Sequence, residues 1–496
     1  MDMFLELDGQ GEVYRQLHRA LRQAIAQGRL REGAKLPSTR ELAQQIGVAR
    51  NTVLLAYELL CAEHLAVSKV GSGTYVARGT TPARTVLRPT PPATLLPPPS
   101  RYARRLRDTD TTWFRPTGQA LRFNLQYGTP MVDVTMYSAW SRALAHAAQH
   151  TDAGYPPTQG LPALRQEIAA YLSQRRGLVC DADDVIVVNG TQQAVALIGR
   201  LLLDEGDRVV MEDPSFKLAR NCFTAQGAQP CFVPVDDEGL QVDALPGGPL
   251  KLAYVTPSHQ YPSGVQMSMR RREALLAAAV QRGFWVVEDD YDGEFGLEGR
   301  LQPALASMDT AGHVIYVGTF SKMLLPSIRM GYVVAPRALR DDLLKAKLLA
   351  DIASPGIEQV ALAHFMKSGA FERHLRRGNL ELRRRRQALH EGVARWCGDD
   401  IVLHDNGAGM HCVAWLPRFS FEQTQRLIDL ARSEGLGLHA IHNQYQHPPR
   451  HPGLLLGFAS TSVAQLRGAM KLLGECIGQV HAQTPVTQEK APACAE

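Results

Sequence analysis

The chain has 496 residues, of which 45% are hydrophobic and 21% are charged, and its formal net charge is +5. This composition is that of a globular protein, and the length predicts about two to four domains. No apolar run approaches the roughly 20 residues of a membrane helix, and the N-terminus lacks the basic and apolar regions of a signal peptide. The eight cysteines are dispersed and form no CxxC pair. We therefore expect a cytoplasmic protein with free thiols and no membrane contact.

The N-terminal region, residues 10–78, has the pattern of a small helical domain with a β-hairpin. Apolar residues at helical spacing predict a first helix that ends in Gly28. Ser38 and Glu41 form a capping-box pattern at the start of a second, short helix. The stretch VLLAYELLCAEHL predicts a third helix, and LAVSKVGSGTYVA predicts a hairpin with a glycine-rich tip. Two short helices across a glycine-containing turn describe a helix-turn-helix, and the hairpin is its wing.

This region predicts contacts with double-stranded DNA. The first residues of the recognition helix approach base edges in the major groove, where Arg suits guanine and Asn suits adenine. Hydroxyl and cationic side chains nearby suit phosphates, and a glycine-rich wing tip suits the backbone or the minor groove. The candidate DNA contacts are Ser38, Arg40, Arg50, Asn51, Thr52, Gly71, Gly73 and Thr74. A helical domain that binds protein is the alternative.

The region resembles the winged-helix domain of the GntR family through both turns, the start of the recognition helix and the GSGT wing. Two positions depart from the family pattern. Ala49 stands where a serine usually caps the recognition helix, and His64 stands where a glycine usually follows that helix. The missing cap is expected to cost about 1 kcal/mol of local stability. Neither departure removes a DNA contact, so the resemblance implies an operator as partner.

The rest of the chain predicts a linker, a larger domain and a tail. Residues 79–117 are rich in proline and arginine, which predicts a semi-rigid basic linker without packed elements. Its charge suits a phosphate backbone, and a solvated arm is an equal alternative. Over 118–480, short apolar runs alternate with helical patterns, which predicts an α/β domain with a mostly parallel central sheet. Residues 481–496 are predicted to be a polar tail.

The stretch GTFSKMLLPSIRMG sets Lys322 among hydroxyl and apolar side chains, with Arg329 seven positions later. A lysine amine forms Schiff bases, and pyridoxal phosphate is its common carbonyl partner. That cofactor also needs a phosphate cup, an acid for its pyridine nitrogen and a donor for its ring oxygen. NGTQQAV offers free N–H groups at a helix start, and EDDYDGEF offers carboxylates at a buried strand end. Taken singly, each motif also fits an ordinary turn.

Together these motifs resemble the fold-type I pyridoxal-phosphate enzymes, the aminotransferase-like group, over most of residues 120–478. The strongest element is T-F-S-K-x-x-x-P-x-x-R-x-G, from Thr319 to Gly331. The resemblance implies a Schiff base at Lys322, a pyridine-nitrogen partner at Asp289, a ring-hydroxyl donor at Tyr291 and a stacking ring at Phe216. The candidate cofactor residues are Gly190, Thr191, Gln192, Phe216, Tyr261, Asp289, Tyr291, Thr319, Ser321, Lys322 and Arg329. No metal site is predicted, because the histidine-rich loops suit solvated side chains better.

Three positions depart from the aminotransferase pattern. Tyr261 stands where the group usually has an asparagine near the ring hydroxyl, and Leu218 provides no second cation. Leu455 stands where an arginine usually binds the substrate carboxylate, and Arg450 is the nearest arginine along the chain. The missing arginine argues against efficient transamination of ordinary amino acids. It leaves cofactor binding untouched.

A GntR-like head, a proline-rich linker and an aminotransferase-like domain, in that order, resemble the MocR family of transcriptional regulators. The resemblance implies a homodimer, because fold-type I sites are built between subunits. We expect a regulator that senses a small amine or amino acid through aldimine exchange at Lys322. Two alternatives stay open: the sensed ligand is pyridoxal phosphate itself, or the chain is an active aminotransferase, which the missing arginine makes the less favoured interpretation.

Overall fold

A computed structural model describes residues 7–69, 71–78, 97–109, 121–131, 133–295 and 303–483. The chain divides into two compact units, Met1–Pro98 and Pro99–Glu496. No helix in the described ranges combines the length and the apolar character that crossing a membrane requires.

The first unit consists of helices followed by a hairpin, as its periodicity predicts. Its elements are α1 (Val13–Ala26), α2 (Thr39–Ile46), α3 (Arg50–Ala62), β1 (Ala66–Lys69) and β2 (Gly73–Val76). Leu17, Leu42 and Val53, one from each helix, are buried in a common core. The antiparallel strands pair from Ala66 with Val76 to Lys69 with Gly73, which makes the wing. This part of the predicted fold is confirmed.

The ends of the short helices follow the local sequence. The Oγ atom of Ser38 accepts from the N–H of Glu41 at 3.2 Å, and the Glu41 carboxylate accepts from the N–H of Ser38 at 2.8 Å. This reciprocal pair is the predicted capping box. Ala49 precedes α3 without a side-chain cap. His64 has φ of 58°, in the left-handed region that favours glycine, which explains why a glycine is usual at this position.

The second unit alternates strands and helices. Its helices are α4 (Arg101–Arg107), α5 (Val134–His150), α6 (Pro162–Arg176), α7 (Thr191–Leu202), α8 (Lys217–Gln226), α9 (Met269–Arg282), α10 (Arg337–Asp351), α11 (Gly356–Lys367), α12 (Ala370–Trp396), α13 (Phe421–Ser433) and α14 (Val463–Gln483). Its strands are β3 (Phe123–Asn124), β4 (Val185–Val188), β5 (Arg208–Asp213), β6 (Gln229–Asp236), β7 (Gly239–Leu240), β8 (Leu252–Val255), β9 (Trp285–Asp290), β10 (Val314–Thr319), β11 (Gly331–Val334), β12 (Val402–His404), β13 (His411–Trp415), β14 (Leu436–Gly437), β15 (His439–Ala440) and β16 (Gly453–Gly457).

The main sheet of this unit is mixed, with a parallel interior. Its described strands follow the order β4-β11-β10-β9-β8-β5-β6-β7. Strands β10, β9, β8, β5 and β6 run parallel, whereas β11, β4 and β7 pair antiparallel with their neighbours. The connection from β10 to β11 holds only the short 3-10 turn Pro326–Ile328 and no crossover helix, and the two strands pair antiparallel. The predicted α/β fold is confirmed, and the antiparallel strands lie toward the two ends of the sheet.

Part of the predicted linker is packed. Helix α4 lies within residues 79–117, and the Oγ atom of Ser100 caps it by accepting from the N–H of Ala103 at 3.1 Å. Arg101 and Arg105 reach the Glu205 carboxylate at 3.0 and 2.6 Å. This helix forms because the run RYARRLR has no proline and finds an acidic partner. Residues 79–96 and 110–117 of the predicted linker, and residues 484–496 of the predicted tail, lie outside the described residues.

A buried ion pair joins α6 to the end of β9. The Nε atom of Arg176 lies 2.7 Å from Oδ2 of Asp290, and the two side chains are at most 1% exposed. The hydroxyl of Tyr316 donates to the same carboxylate at 2.6 Å. Because an unpaired buried charge is costly, removing either partner should lower the free energy of unfolding.

We expect the Arg176→Met substitution to lower the free energy of unfolding of the second unit by about 3–5 kcal/mol, since Asp290 would stay buried without its cation. Urea denaturation followed by tryptophan fluorescence measures this loss. Arg175→Met is the matched control, because its ion pair with Glu372 is about a third exposed. That control should lose about 1 kcal/mol or less. Equal losses in the two variants would contradict the importance of the buried pair.

Candidate functional site

The candidate DNA contacts of the first unit lie in three places: the start of α2, the first turn of α3 and the wing tip. Arg50 and Asn51 are exposed on the first turn of α3, and Thr52 is half-buried beside them. The Nε atom of Arg50 donates to the Thr39 hydroxyl at 3.3 Å, so the side chain lies across the turn between the two helices. The remaining candidates are exposed or half-buried: Ser38 and Arg40 at the start of α2, and Gly71, Gly73 and Thr74 at the wing tip.

In the second unit, Lys322 lies just after β10 and is half-buried. Its Nζ atom donates to the carbonyl of Gly128 at 3.0 Å and lies 5.1 Å from the ring centre of Tyr127. Burial lowers the pKa of Lys322 to about 8, against the opposing effect of the Asp292 and Asp289 carboxylates. The neutral amine, which is the nucleophilic form, is therefore accessible at a much lower pH than in an ordinary lysine.

Asp289 faces the same site from the neighbouring strand. Parallel pairing of β9 with β10 sets Asp289 opposite Val317, and the side chain is only 3% exposed. Its Oδ2 atom accepts from the Tyr254 hydroxyl, whereas Oδ1 has no hydrogen-bond partner among the described residues. Burial raises the pKa of Asp289 to about 7. A buried carboxylate with one open oxygen suits a cationic N–H donor, such as a protonated pyridine.

The residues predicted to bind a phosphate lie where the ends of β4 and β10 meet the start of β11. Thr319 pairs with Gly331, which in turn pairs with Val188 just before the turn to α7. Helix α7 begins after Gly190 without a side-chain cap, so the N–H groups of Thr191 and Gln192 stay open. This positive helix end suits an anion.

Arg329 completes the same corner. Its Nη2 atom donates to the carbonyl of Asn189 at 3.0 Å. Gly190 has φ of 81°, and a Cβ atom there would come within 2.9 Å of that Nη2 atom. The positive φ favours glycine at this position, and a side chain here would push the guanidinium away from the turn. Ser321 is close by, because its N–H donates to the Thr319 hydroxyl at 3.2 Å.

Aromatic side chains surround the space next to Lys322. The ring centres of Phe216 and Tyr261 are 5.5 Å apart, and those of Tyr261 and Tyr291 are 5.9 Å apart. Tyr127 lies 5.6 Å from Tyr261 and 6.2 Å from Tyr291. The buried hydroxyls of Tyr127 and Tyr261 have no partner among the described residues, so both can serve a polar ligand. Sequence reasoning missed Tyr127, although the QYGTP turn, an aromatic residue before Gly-x-Pro, carries a signal for it.

A second group missed from the sequence stands behind Tyr291. The Tyr291 hydroxyl lies 3.1 Å from Nδ1 of His259, and that nitrogen lies 3.0 Å from the Asp292 carboxylate. Nitrogen or oxygen atoms of His259, Asp292 and His411 lie within 4.8 Å of one another, close enough to share a small cation. His411 is buried in β13, so the expectation of a solvated loop histidine is wrong at this position. The prediction of no metal site stays a prediction.

The position of the usual carboxylate-binding arginine is apolar. Leu455 is 3% exposed in β16 and packs against Val413 and Ile441. Arg450 is exposed in the preceding loop. Within this described cluster, the side chain of Leu455 offers no donor to a carboxylate.

Comparison with known proteins matches both units. Residues 13–76 match the family of bacterial regulatory proteins of the gntR type, and residues 123–445 match aminotransferase class I and II. The chain is 34% identical to the probable rhizopine catabolism regulatory protein MocR of Rhizobium meliloti, over 95% of both chains. The chain belongs to the MocR-type regulators of the GntR family.

Two further similarities extend this result. A pyridoxine biosynthesis transcriptional regulator, PdxR of Corynebacterium glutamicum, is 29% identical over 93% of this MocR-type chain and 95% of its own. Among solved structures, the α-aminoadipate aminotransferase LysN of Thermus thermophilus, complexed with N-(5'-phosphopyridoxyl)-L-leucine, is 27% identical. The similarity covers 78% of this chain and 98% of the LysN chain, with a TM-score of 0.69. The second unit therefore has the fold of pyridoxal-phosphate-dependent aminotransferases, and the first unit has a DNA-binding fold.

The lowered pKa of Lys322 is testable by labelling. In cofactor-free protein, acetylation of Lys322 by acetic anhydride should rise with pH around a midpoint near 8, because deprotonation exposes the nucleophilic amine. Mass spectrometry of the peptide that contains Lys322 measures the rate. Free Nα-acetyl-lysine is the control and should show a midpoint near its ordinary pKa of about 10.4. A midpoint near 10 for Lys322 would show that burial does not lower its pKa.

Proposed function

We propose that this MocR-type regulator binds pyridoxal phosphate at Lys322 and senses a small amine or amino acid there. One observation carries the proposal. Lys322, an amine with a lowered pKa, and Asp289, a buried carboxylate with an open oxygen, face one site from the ends of two neighbouring strands. Lys322 and Asp289 are the two groups that such a cofactor needs at opposite ends of its ring.

The other candidate residues would hold the cofactor by complementary contacts. Open N–H groups at the start of α7, the Arg329 guanidinium and the hydroxyls of Thr319 and Ser321 would bind its phosphate. Tyr291 and Tyr261 would donate to the ring oxygen, and Phe216 would cover a ring face. When bound, pyridoxal phosphate supplies an aldehyde that condenses reversibly with primary amines. An amine ligand would compete with Lys322 for that group and release the lysine side chain.

The apolar position of Leu455 favours a sensor over a catalyst. An aminotransferase binds the carboxylate of its substrate in a fixed orientation, and a bidentate arginine contact supplies that orientation. Here Leu455 lies in an apolar cluster with Val413 and Ile441. A ligand that favours one arrangement of the protein is enough for regulation, because differential binding shifts the population.

The same observation supports a second candidate function. In this second function the sensed ligand is pyridoxal phosphate itself, and the relative named for pyridoxine biosynthesis agrees with this interpretation.

A third candidate function is that of an active aminotransferase with a DNA-binding head. Operator binding measured without cofactor, with cofactor and with cofactor plus amines separates the first two. Steady turnover of an amino donor and a keto acid would support the third.

We also propose that the chain acts as a homodimer. Large apolar side chains are exposed on the second unit, including Val134 at 81%, Tyr155 at 86% and Leu349 at 88%. Burying such side chains between two subunits would remove apolar area from water. Paired heads would then read two half-sites of an operator.

Lys322→Ala is the direct test of covalent sensing. Without the amine, the visible absorbance of the protein-bound cofactor should disappear, and added amines should no longer change operator affinity. Absorbance spectra and fluorescence anisotropy with labelled operator measure the two effects. Lys345→Ala, at an exposed lysine of α10, should behave as wild type. An intact regulatory response in Lys322→Ala would exclude sensing through this amine.

Arg50→Ala tests base recognition by α3. Loss of a bidentate contact with guanine should weaken specific binding by about 1–3 kcal/mol and relax the preference at one base pair. In vitro selection from random duplexes, followed by affinity measurements, reports both effects. Arg19→Ala is the control, because this arginine lies on α1 and pairs with Asp8 at 2.8 Å. Unchanged specificity in Arg50→Ala would remove this arginine from the recognition surface.

A further inference from the structure

The turn between β4 and α7 is held by a carboxylate outside the candidate cofactor residues. Asp351 is the last residue of α10, and its Oδ2 atom accepts from Nδ2 of Asn189 at 2.8 Å and from Nε2 of Gln193 at 2.6 Å. The Oε1 atom of Gln193 accepts from the N–H of Asn189 at 2.7 Å. Arg329 donates to the Asn189 carbonyl at 3.0 Å. The Nδ2 atom, the backbone N–H and the carbonyl of Asn189 thus each have a partner, whereas its buried Oδ1 atom has none among the described residues.

A buried lysine compensates the charge of this carboxylate. The Nζ atom of Lys347 lies 3.0 Å from Oδ1 and 2.9 Å from Oδ2 of Asp351, and the Lys347 side chain is 0% exposed. It also donates to the Ser354 hydroxyl at 3.2 Å. Among the described residues, Asp351 is the carboxylate within ion-pair distance of Lys347. This pairing matters, because an uncompensated carboxylate behind an anion site would weaken that site.

The turn is held partly from within, by the bond from the Asn189 N–H to Gln193, and partly by Asp351 from outside. Helix α7 starts without a side-chain cap, and Gly190 has a φ of 81°, which favours glycine. A glycine is free to adopt many conformations, so the directions of the N–H groups of Thr191 and Gln192 depend on what holds the residues around it. Asp351 holds the residues on both sides, Asn189 and Gln193.

We propose that Asp351, with Lys347 as its counter-ion, is a positioning residue for the phosphate group of the cofactor. It acts through Asn189 and Gln193, which fix the turn that presents free N–H groups to the phosphate. This inference rests on the proposed binding of pyridoxal phosphate. The expected effect is limited to the phosphate. Asp351 and Lys347 support binding of the phosphorylated cofactor and leave the contacts to its ring and aldehyde unaffected.

The test compares pyridoxal phosphate with pyridoxal, which lacks the phosphate. The variant is Lys347→Met with Asp351→Ala, which removes both charges together and leaves no unpaired buried ion. Spectroscopic titration of the full-length protein gives the two dissociation constants. We expect the dissociation constant of pyridoxal phosphate to rise about tenfold or more, as for loss of oriented hydrogen bonds to an anion, and that of pyridoxal to change by about twofold or less.

Asp342→Ala is the matched control. This aspartate lies on the same helix and pairs with Lys345 at 3.3 Å, but both side chains are exposed. It should keep both wild-type affinities. A second double variant, Lys347→Met with Asp351→Asn, preserves size at both positions and also leaves no unpaired buried ion. It should weaken pyridoxal phosphate binding in the same direction by a smaller factor, and it replaces the first double variant if that variant does not fold. Circular dichroism and thermal melts establish folding.

The outcomes are distinguishable. If the wild-type protein binds neither compound, the proposed function fails, and the inference fails with it. If the wild type binds and the variant binds pyridoxal phosphate equally well, the function stands and the positioning role is overturned. Equal loss of affinity for pyridoxal and pyridoxal phosphate also overturns it, because the cluster would then act only on general stability. Selective loss for the phosphorylated compound supports it.

Discussion

Three consecutive carboxylates at the buried end of β9 impose the main constraint on the second unit. A buried charge must find a cation or several donors, or its burial costs more than the fold can sustain. Glu288 accepts from the N–H groups of Leu305 and Ala306 at 2.8 Å each. Asp290 pairs with Arg176. Side chains alternate along a strand, so the middle carboxylate, Asp289, faces the other way, toward the side of Lys322.

The same burial prepares two reactive groups at once. Low solvation disfavours a charged amine and a charged carboxylate alike, which lowers the pKa of Lys322 and raises the pKa of Asp289. Both values come near neutrality, where small changes in surroundings alter protonation. Groups perturbed in this way are typical of functional sites, which is the basis of the proposed role of Lys322 and Asp289. The neighbouring Tyr261 and Tyr127 hydroxyls, buried without a described partner, reinforce that conclusion.

Close approaches between backbone segments build the corner that is proposed to bind the phosphate. A Cβ atom on Gly331 would lie 2.8 Å from the carbonyl oxygen of Gly318 and 3.0 Å from Cα of Gly190. Glycine at these positions lets β11 and the β4–α7 turn pack in direct contact. Arg329, two residues before Gly331, is thereby carried against the Asn189 carbonyl. The order of the strands, with β11 between β10 and β4, makes this contact possible.

The sequence by itself determined the order of the units, the helix-turn-helix with its wing, the α/β class and most residues around Lys322. These follow from local periodicity, from capping and turn residues and from compact motifs. Periodicity alone could not identify which of the three carboxylates faces Lys322, because that depends on the neighbours packed against each side of β9. Tertiary structure also decided the antiparallel ends of the sheet, the packing of α4, and the contributions of Tyr127, Tyr254 and Asp351. Those residues are far apart in the sequence and come into contact only in the folded protein, so local sequence patterns cannot predict their contacts.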